Sequence, residues 1–268
     1  MIKTISSLQN PLIKSIVSLR EKSRERKKTG LFVLEGLREF FLAIDGRYEI
    51  KHLLICQDLI TSPLEKDLLK RIDSDVEITY ITSELYRKIA YRGSTEGLLA
   101  IVKTKNFTLG NLQFDQPNPL ILVAEAPEKP GNIGALLRTA DAANLDAVII
   151  ANPKTDMYNP NIIRSSVGCL FTNTIATGTT SEILQFLKNS NINIFCAALQ
   201  ASVPYHTADF SKSCALVVGT EDTGLSEEWL EASTQNIIIP MQGQIDSMNV
   251  SVAAGILIFE AKRQRNFQ

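Results

Sequence analysis

The chain has 268 residues, with 28 Lys and Arg against 29 Asp and Glu and a hydrophobic fraction of 44%. This length predicts one large or two medium domains of ordinary globular composition. The longest apolar stretch, Met248–Phe259, is too short to span a bilayer, and the first residues lack the apolar segment of a signal peptide. We therefore expect a cytoplasmic protein. Two His and four widely spaced Cys argue against a metal site.

The basic charge is concentrated in the N-terminal part of the chain. Residues 1–117 carry a net charge of +4, whereas residues 118–268 carry −5. The densest basic run is Arg20–Lys28, and two interpretations of it are open. Glu21 and Glu25 could pair with basic neighbours on a solvated helix face. Alternatively, the run could contact the phosphates of a nucleic acid.

The N-terminal half predicts a helix followed by alternating strands and helices. Asn10 and Pro11 are typical of a helix start, and the apolar spacing that follows predicts one helix continuing through the basic run to Gly30. The alternation beyond it favours a small α/β layer structure. The predicted strands are Leu31–Leu34, Ile50–Ile55, Val76–Ile81 and Leu98–Val102, and the predicted helices are Glu35–Ile44, Pro63–Ile72 and Ser83–Tyr91.

A polar segment rich in Asn, Gln, Gly and Pro, residues 107–119, interrupts this alternation and is expected to be a linker. The domains would then be residues 1–106 and 120–268. The second domain alternates again, and its apolar strands predict a parallel sheet covered on both faces. Its predicted strands are Leu120–Ala124, Ala147–Ala151, Thr172–Ala176, Ile192–Ala198, Ala215–Gly219 and Asn236–Pro240, and its predicted helices are Asn132–Ala143, Ser181–Asn189, Ser226–Ala232 and Asn249–Arg263.

Three segments of the second half combine glycine turns with polar side chains. Pro130–Asp141 reads PGNIGALLRTAD and follows a strand, but it lacks the third glycine of a dinucleotide-binding turn. Gly219–Ser226 reads GTEDTGLS, with an acid where ligands of open α/β sheets lie. Ile237–Ser251 ends in small polar residues before an apolar helix, more than capping alone requires. Taken singly, each segment could also be an ordinary turn or cap.

In this order and spacing, the three segments resemble the three motifs of the SpoU/TrmH branch of the SPOUT RNA methyltransferases, over residues 120–265. The N-terminal segments SLQNPLIK at 7–14 and LFVLEGLREF at 31–40 resemble the substrate-binding domain of the ribosomal-RNA members, which is similar to small RNA-binding ribosomal proteins. The resemblance implies a C-terminal α/β fold with a mostly parallel sheet and a deep trefoil knot, plus a smaller N-terminal α/β domain. Without it, the rarity of knots would have predicted an unknotted sheet.

The resemblance also implies S-adenosylmethionine as cofactor, a homodimer with the site near its interface, and transfer of a methyl group to a ribose 2′-hydroxyl of RNA, with no metal. Relatives often have Asp-Pro where this chain has Lys129-Pro130, which suggests a modest change in that loop. The implied catalytic residues are Asn132, Arg138, Glu221, Ser247 and Asn249, and the implied cofactor-binding residues are Leu199, Gly219, Ile239, Met241 and Met248. The expected RNA-binding residues are Arg20, Lys22, Arg24, Arg26, Lys27, Lys28 and Arg38.

Several alternatives stay open at this point. The resemblance implies that Arg138 acts as a base, but a guanidinium rarely gives up its proton, and the alternative is that Arg138 clamps the adjacent phosphate through its planar fork. The substrate could be ribosomal or transfer RNA, and the methylated atom could belong to a base. A non-catalytic RNA-binding or ribosome-assembly protein of the same fold, or a dinucleotide-dependent enzyme, would fit less of the pattern.

Overall fold

The computed structural model describes residues 4–91, 96–220, 222–245 and 247–267. By contacts, the chain divides into two compact units. The first contains the described part of Met1–Lys105 together with Asp156–Thr172, and the second contains Asn106–Thr155 with the described part of Asn173–Gln268. The segment 107–119 thus falls within the second unit, where Leu112 is buried in the core.

The described chain contains twelve strands and ten α-helices, besides two short 3-10 helices at Leu109–Asn111 and Tyr205–Thr207. In chain order they are β1 Thr4–Ile5, α1 Pro11–Glu21, α2 Ser23–Thr29, β2 Leu31–Glu35, α3 Leu37–Asp45, β3 Ile50–Ile55, α4 Ser62–Lys70, β4 Glu77–Ile81, α5 Ser83–Ile89, β5 Leu98–Lys103, β6 Leu120–Glu125, α6 Pro130–Ala142, β7 Ala147–Ala151, α7 Pro160–Ser165, β8 Ile175–Gly178, α8 Thr180–Asn189, β9 Asn193–Ala197, β10 Val203–Pro204, β11 Cys214–Val218, α9 Glu227–Ala232, β12 Gln235–Ile238 and α10 Val250–Gln264.

The first unit contains a mixed sheet in the order β1-β4-β3-β5-β2. The strands β1, β4 and β3 are parallel, whereas β5 runs antiparallel to both β3 and β2. Alternation along β2 places Val33 in a core with α1 and α5, while Phe32 lies on the opposite face. There Phe32 stacks on Tyr158 at 4.4 Å between ring centroids and on Phe171 at 5.9 Å. This aromatic cluster holds the segment Asp156–Thr172 in the first unit.

The basic helix is broken, contrary to the prediction of one helix up to Gly30. Lys22 is extended, with φ −114° and ψ 109°, and it separates α1 from α2. A helix end leaves carbonyl groups without intrahelical donors. The Arg26 guanidinium supplies the missing donors, because it donates to the carbonyl oxygens of Leu19 at 2.6 Å and Arg20 at 3.0 Å. A side chain from the next helix therefore stabilises a break that helix propensity does not indicate.

The second unit contains a seven-stranded sheet in the order β10-β12-β9-β11-β6-β7-β8. Every pair in its described strands is parallel, which confirms the predicted parallel sheet. One face packs on α8 and α9 around the fully buried Trp229, and α6 and α10 pack together on the other. The predicted strand Thr172–Ala176 is shifted, because β8 begins only at Ile175. The prediction also missed β1, β10 and α7.

Candidate active site

The candidate site lies at the carboxyl edge of the seven-stranded sheet. From β6 the chain runs to β7 and β8 on one side, and it then crosses to β9 beyond β11. The strand order therefore reverses between β6 and β11. Ligands of open parallel sheets bind in the crevice at such a reversal, beyond the carboxyl ends of the strands. Two neighbouring cavities occupy this place.

The larger cavity, about 350 Å³, is formed where β9, β11 and β12 end. All five residues predicted to bind the cofactor line it, together with Ser247. They come from three separate stretches of the chain, so the fold brings together what the motif pattern indicated. Its apolar lining with a few polar groups is typical of small-molecule sites. Besides these six residues, the lining includes Ala197, Thr220, Leu225 and Ile237.

The loop between β11 and α9 forms one wall of both cavities. It is closed on itself, because Thr220 N–H donates to the Gly224 carbonyl at 3.1 Å and Gly224 N–H donates back at 3.2 Å. The Thr223 N–H also donates to the Thr220 hydroxyl at 3.1 Å. A Cβ on Gly219 would lie 2.3 Å from the Gly224 carbonyl group, so only glycine fits there. Gly224 adopts φ +68°, which also favours glycine.

The smaller cavity, about 130 Å³, is lined by Asn132 and shares the wall of Gly219, Thr220 and Thr223 with the larger one. Asn132 lies in the first turn of α6 and accepts a hydrogen bond from Asn249 Nδ2 at 3.1 Å. Asn249 caps α10, and its Oδ1 accepts from the Ser251 N–H at 3.0 Å. Two of the predicted catalytic residues, 117 positions apart, are therefore in direct contact.

Arg138 stands apart from this pair. It is exposed on α6 and is not among the described residues that line the two cavities. It follows Asn132 by six positions, which turns it roughly 120° away around the helix. Ser247 is exposed and lines the larger cavity. Glu221 lies outside the described residues.

The basic residues of the first unit divide into two groups. Arg26 is only 4% exposed, and its guanidinium binds Asp156 as well as the end of α1. The structure therefore removes Arg26 from the predicted RNA-binding set, because its donors are committed within the protein. Arg20 is partly buried and donates to the Ile89 carbonyl at 2.7 Å. The exposed members of the predicted set are Lys22, Arg24, Lys27, Lys28 and Arg38.

The prediction missed Glu125, the last residue of β6, which binds the end of the loop between β11 and α9. Its only sequence signal is an acid at the carboxyl end of an apolar strand. The described residues contain no group of three or more His, Cys, Asp and Glu that could hold a metal ion. Among the described helices, none has the length and apolar character needed to cross a membrane.

Both halves of the chain match known protein families. A model described as the SpoU rRNA Methylase family matches residues 119–259, and one described as the MRM3-like substrate binding domain matches residues 10–100. The 23S rRNA (guanosine(2553)-2′-O)-methyltransferase RlmP of Bacillus subtilis is 30% identical over 265 residues, covering 97% of this chain and 100% of that protein. The 23S rRNA (guanosine-2′-O-)-methyltransferase RlmB of Ralstonia nicotianae is 32% identical over 75% of this chain and 83% of its own length.

Solved structures give the same picture. The crystal structure of an RNA 2′-O ribose methyltransferase matches with a TM-score of 0.84 and 35% identity, over 98% of this chain and 100% of that one. An AdoMet-bound rRNA methyltransferase from Sinorhizobium meliloti matches with a TM-score of 0.89 and 27% identity, over 98% of both chains. The class is therefore that of the RNA methyltransferases. Within it, the chain belongs to the SpoU rRNA methylase family, as the three motifs predicted.

Proposed function

We propose that this protein transfers a methyl group from S-adenosylmethionine to a ribose 2′-hydroxyl of ribosomal RNA. The observation that carries the proposal is the pair of adjoining cavities. One is lined by all five candidate cofactor residues, and the other is lined by Asn132, which contacts Asn249. The two relatives named above, which match over 97% and 75% of this chain, are 23S rRNA 2′-O-methyltransferases, which supports ribosomal RNA over transfer RNA.

The residues at the larger cavity fit S-adenosylmethionine. A cavity of about 350 Å³ falls within the range of small-molecule sites. Ile239 and Met248 offer apolar and polarizable contacts suited to a flat purine, and backbone groups at the strand ends offer donors and acceptors for its polar edge. When bound, S-adenosylmethionine supplies a methyl group on a sulfonium, which an oxygen nucleophile can accept.

The protein's own task is to place that oxygen, since orientation alone lowers such a barrier by several kcal/mol. Asn132 and Asn249, at the smaller cavity, would orient the ribose through their amides. Ser247 borders the larger cavity and would help to fix the nucleotide beside the methyl donor. Arg138 would hold the neighbouring phosphate through its planar guanidinium or assist removal of the hydroxyl proton. Glu221 is proposed for this site on its motif position alone.

We further propose a homodimer. Val252 and Phe259 lie seven residues apart on one stripe of α10, and they are 53% and 45% exposed. A second copy covering this stripe would bury both side chains, and it could bring Arg138 of one copy towards the cavities of the other. Light scattering should give about twice 29.7 kDa for the wild type. Val252→Asp with Phe259→Asp should give the monomer, and a monomeric wild type would contradict the proposal.

The N-terminal unit is proposed to bind the RNA substrate, through the exposed basic residues around α2. The match of residues 10–100 to a substrate-binding domain supports this role. The trefoil knot implied by the resemblance stays a prediction, as do the domain bounds 1–106 and 120–268.

The proposal can be tested by mapping 2′-O-methylation in cells with and without the gene. We expect one ribosomal RNA position to lose its methyl group and the wild-type gene to restore it. Arg138→Ala should bind cofactor nearly normally but restore nothing, whereas Lys188→Ala, an exposed cation on α8, should restore it fully. An unchanged ribosomal RNA map would contradict the proposal. Loss of a transfer-RNA methyl group instead would favour the other substrate.

A further inference from the structure

Glu125 is a buried carboxyl group at the carboxyl end of β6, and its side chain is outside both cavity linings among the described residues. The residue is only 7% exposed. Its Oε2 accepts from the Ser226 N–H at 2.8 Å, and its Oε1 accepts from the Ser226 hydroxyl at 2.7 Å. The Thr180 hydroxyl donates to Oε1 at 3.1 Å. Burying a carboxyl group is costly unless its oxygens are hydrogen-bonded, and here each oxygen accepts at least one bond.

The contact with Ser226 fixes the loop that walls the candidate cofactor cavity. Ser226 is the last residue of the segment that starts at Gly219. Within that segment, Thr220 and Gly224 are joined by two backbone hydrogen bonds, and Ser226 itself binds Glu125. Among the described residues, the loop is therefore held internally by the bonds between Thr220 and Gly224, and it is held to the rest of the sheet by the bonds of Ser226 to Glu125. All the described residues of this loop, Gly219, Thr220 and 222–225, line the larger cavity.

A second chain of contacts ties this anchor to the neighbouring strands. Asn152, which follows β7, donates from Nδ2 to the Thr180 hydroxyl at 2.8 Å. Thr180 is the first residue of α8, which follows β8, and its hydroxyl donates in turn to Glu125. The carboxyl ends of β6, β7 and β8 are thus joined by side-chain hydrogen bonds to the start of α9. Such satisfied networks fix one geometry, because each member limits the others.

We propose that Glu125 is a positioning residue for cofactor binding, acting through Ser226 on the loop Gly219–Leu225. This inference rests on the proposed function, since it takes the larger cavity as the S-adenosylmethionine site. It assigns Glu125 no contact with the cofactor or with RNA. Glu125 fixes the position of the loop in the cofactor-free protein. Its loss should therefore weaken cofactor binding more than it slows methyl transfer at saturating cofactor.

The test compares Glu125→Ala with Glu125→Gln. Alanine leaves the Ser226 N–H and two hydroxyls without their acceptor, so the KM for S-adenosylmethionine should rise about tenfold or more. The kcat at saturating cofactor should stay within about twofold, because bound cofactor holds the loop in place and the residues proposed to orient the ribose, Asn132 and Asn249, belong to other segments, at the starts of α6 and α10. Glutamine should restore most of the affinity. Its carbonyl oxygen can accept the Ser226 N–H, and its amide can donate to both hydroxyl oxygens.

Glu182→Ala is the matched control for lost stability. Glu182 is an exposed carboxylate that accepts from the Thr179 N–H at 2.8 Å and from the Thr179 hydroxyl at 2.9 Å at the start of α8. It therefore caps the helix that Thr180 begins, and within the described part of the chain its hydrogen bonds go to Thr179 and not to the loop. A purely structural effect would lower Tm in both variants and leave the KM for cofactor unchanged in both.

Calorimetric titration of the folded proteins with S-adenosylhomocysteine, the product form of the cofactor, gives the decisive comparison. A Kd raised about tenfold for Glu125→Ala but not for Glu182→Ala or Glu125→Gln is the expected result. An unchanged Kd for folded Glu125→Ala would overturn the inference while leaving the proposed function intact. A wild type that binds neither form of the cofactor would instead overturn the proposed function.

If Glu125→Ala does not fold, Ser226→Ala decides the matter. It removes the hydroxyl donor and keeps the backbone bond to Glu125, so the Kd should rise about threefold. An unchanged Kd in Ser226→Ala would then overturn the inference.

Discussion

Replacing Gly219 by alanine should disable the candidate cofactor site without unfolding the protein. The added Cβ would lie 2.3 Å from the carbonyl carbon and oxygen of Gly224 and 2.6 Å from the Leu225 nitrogen. These are backbone atoms, and they would have to move away by more than about 1 Å before the new Cβ reached ordinary van der Waals distance from them. This movement would break the two backbone hydrogen bonds between Thr220 and Gly224, which are 3.1 and 3.2 Å long.

The size of the effect follows from those two bonds. At ~0.5–1.5 kcal/mol each, their loss amounts to ~1–3 kcal/mol. If the loop must re-form them to bind the cofactor, the Kd should rise roughly fivefold to 150-fold. Calorimetric titration with S-adenosylhomocysteine measures this directly, and thermal unfolding should show that the variant remains folded.

Two control variants separate this clash from a general intolerance of alanine. A Cβ on Gly131 or on Gly243 would meet nothing within 4 Å, and neither glycine has positive φ. Gly131→Ala and Gly243→Ala should therefore bind the cofactor like the wild type. Equal Kd values for Gly219→Ala and the wild type would refute the argument that the Gly219–Gly224 approach shapes the cavity.

Three further predictions concern other parts of the chain. Arg26→Ala should lower the free energy of unfolding by ~3–5 kcal/mol, measured by denaturant titration, because it leaves the Asp156 carboxylate, 10% exposed, without its counter-charge. A change below about 1 kcal/mol would contradict the structural role. The pair Lys27→Gln and Lys28→Gln should leave stability unchanged and reduce the salt dependence of RNA binding, in a filter assay, by roughly one unit of slope per lysine; an unchanged slope would exclude both from the RNA interface. Burial raises the pKa of Cys196 to about 12 and of Cys214 to about 11, so their contribution to the free energy of unfolding is complete below the unfolded pKa near 9 and is lost as the pH rises towards 11–12. Iodoacetamide at about pH 8.5 should label both thiols only after unfolding. Rapid labelling of the native protein would contradict their burial.

Much of the second unit could be predicted from the sequence, because its signals are local. Apolar runs of strand length follow turn residues, and they alternate with helices as the strands of a parallel sheet do. The three motif segments bring glycines and small polar side chains to the ends of those strands. The contact of Asn132 with Asn249 confirms only that two of these segments meet, and the roles assigned to them stay predictions.

What could not be predicted depends on contacts between residues far apart in the sequence. Arg26 lies in a run of exposed cations, and only the presence of Asp156, 130 residues away, shows that it is buried. The break at Lys22 has the same origin, since Arg26 satisfies the carbonyl groups that the break leaves. Glu125 ends an apolar strand like any solvated acid, and its partner Ser226 lies 101 residues further on.

The central claim is methyl transfer to a ribose oxygen, and one measurement tests it most directly. The purified protein is incubated with ribosomal RNA lacking the modification and with S-adenosylmethionine carrying a labelled methyl group, and the RNA is then hydrolysed in alkali. Methylation of the 2′-oxygen blocks cleavage at that position, so the label should appear in an alkali-resistant dinucleotide. Label in a mononucleotide would mean base methylation, and an absence of label under these conditions would contradict the claim.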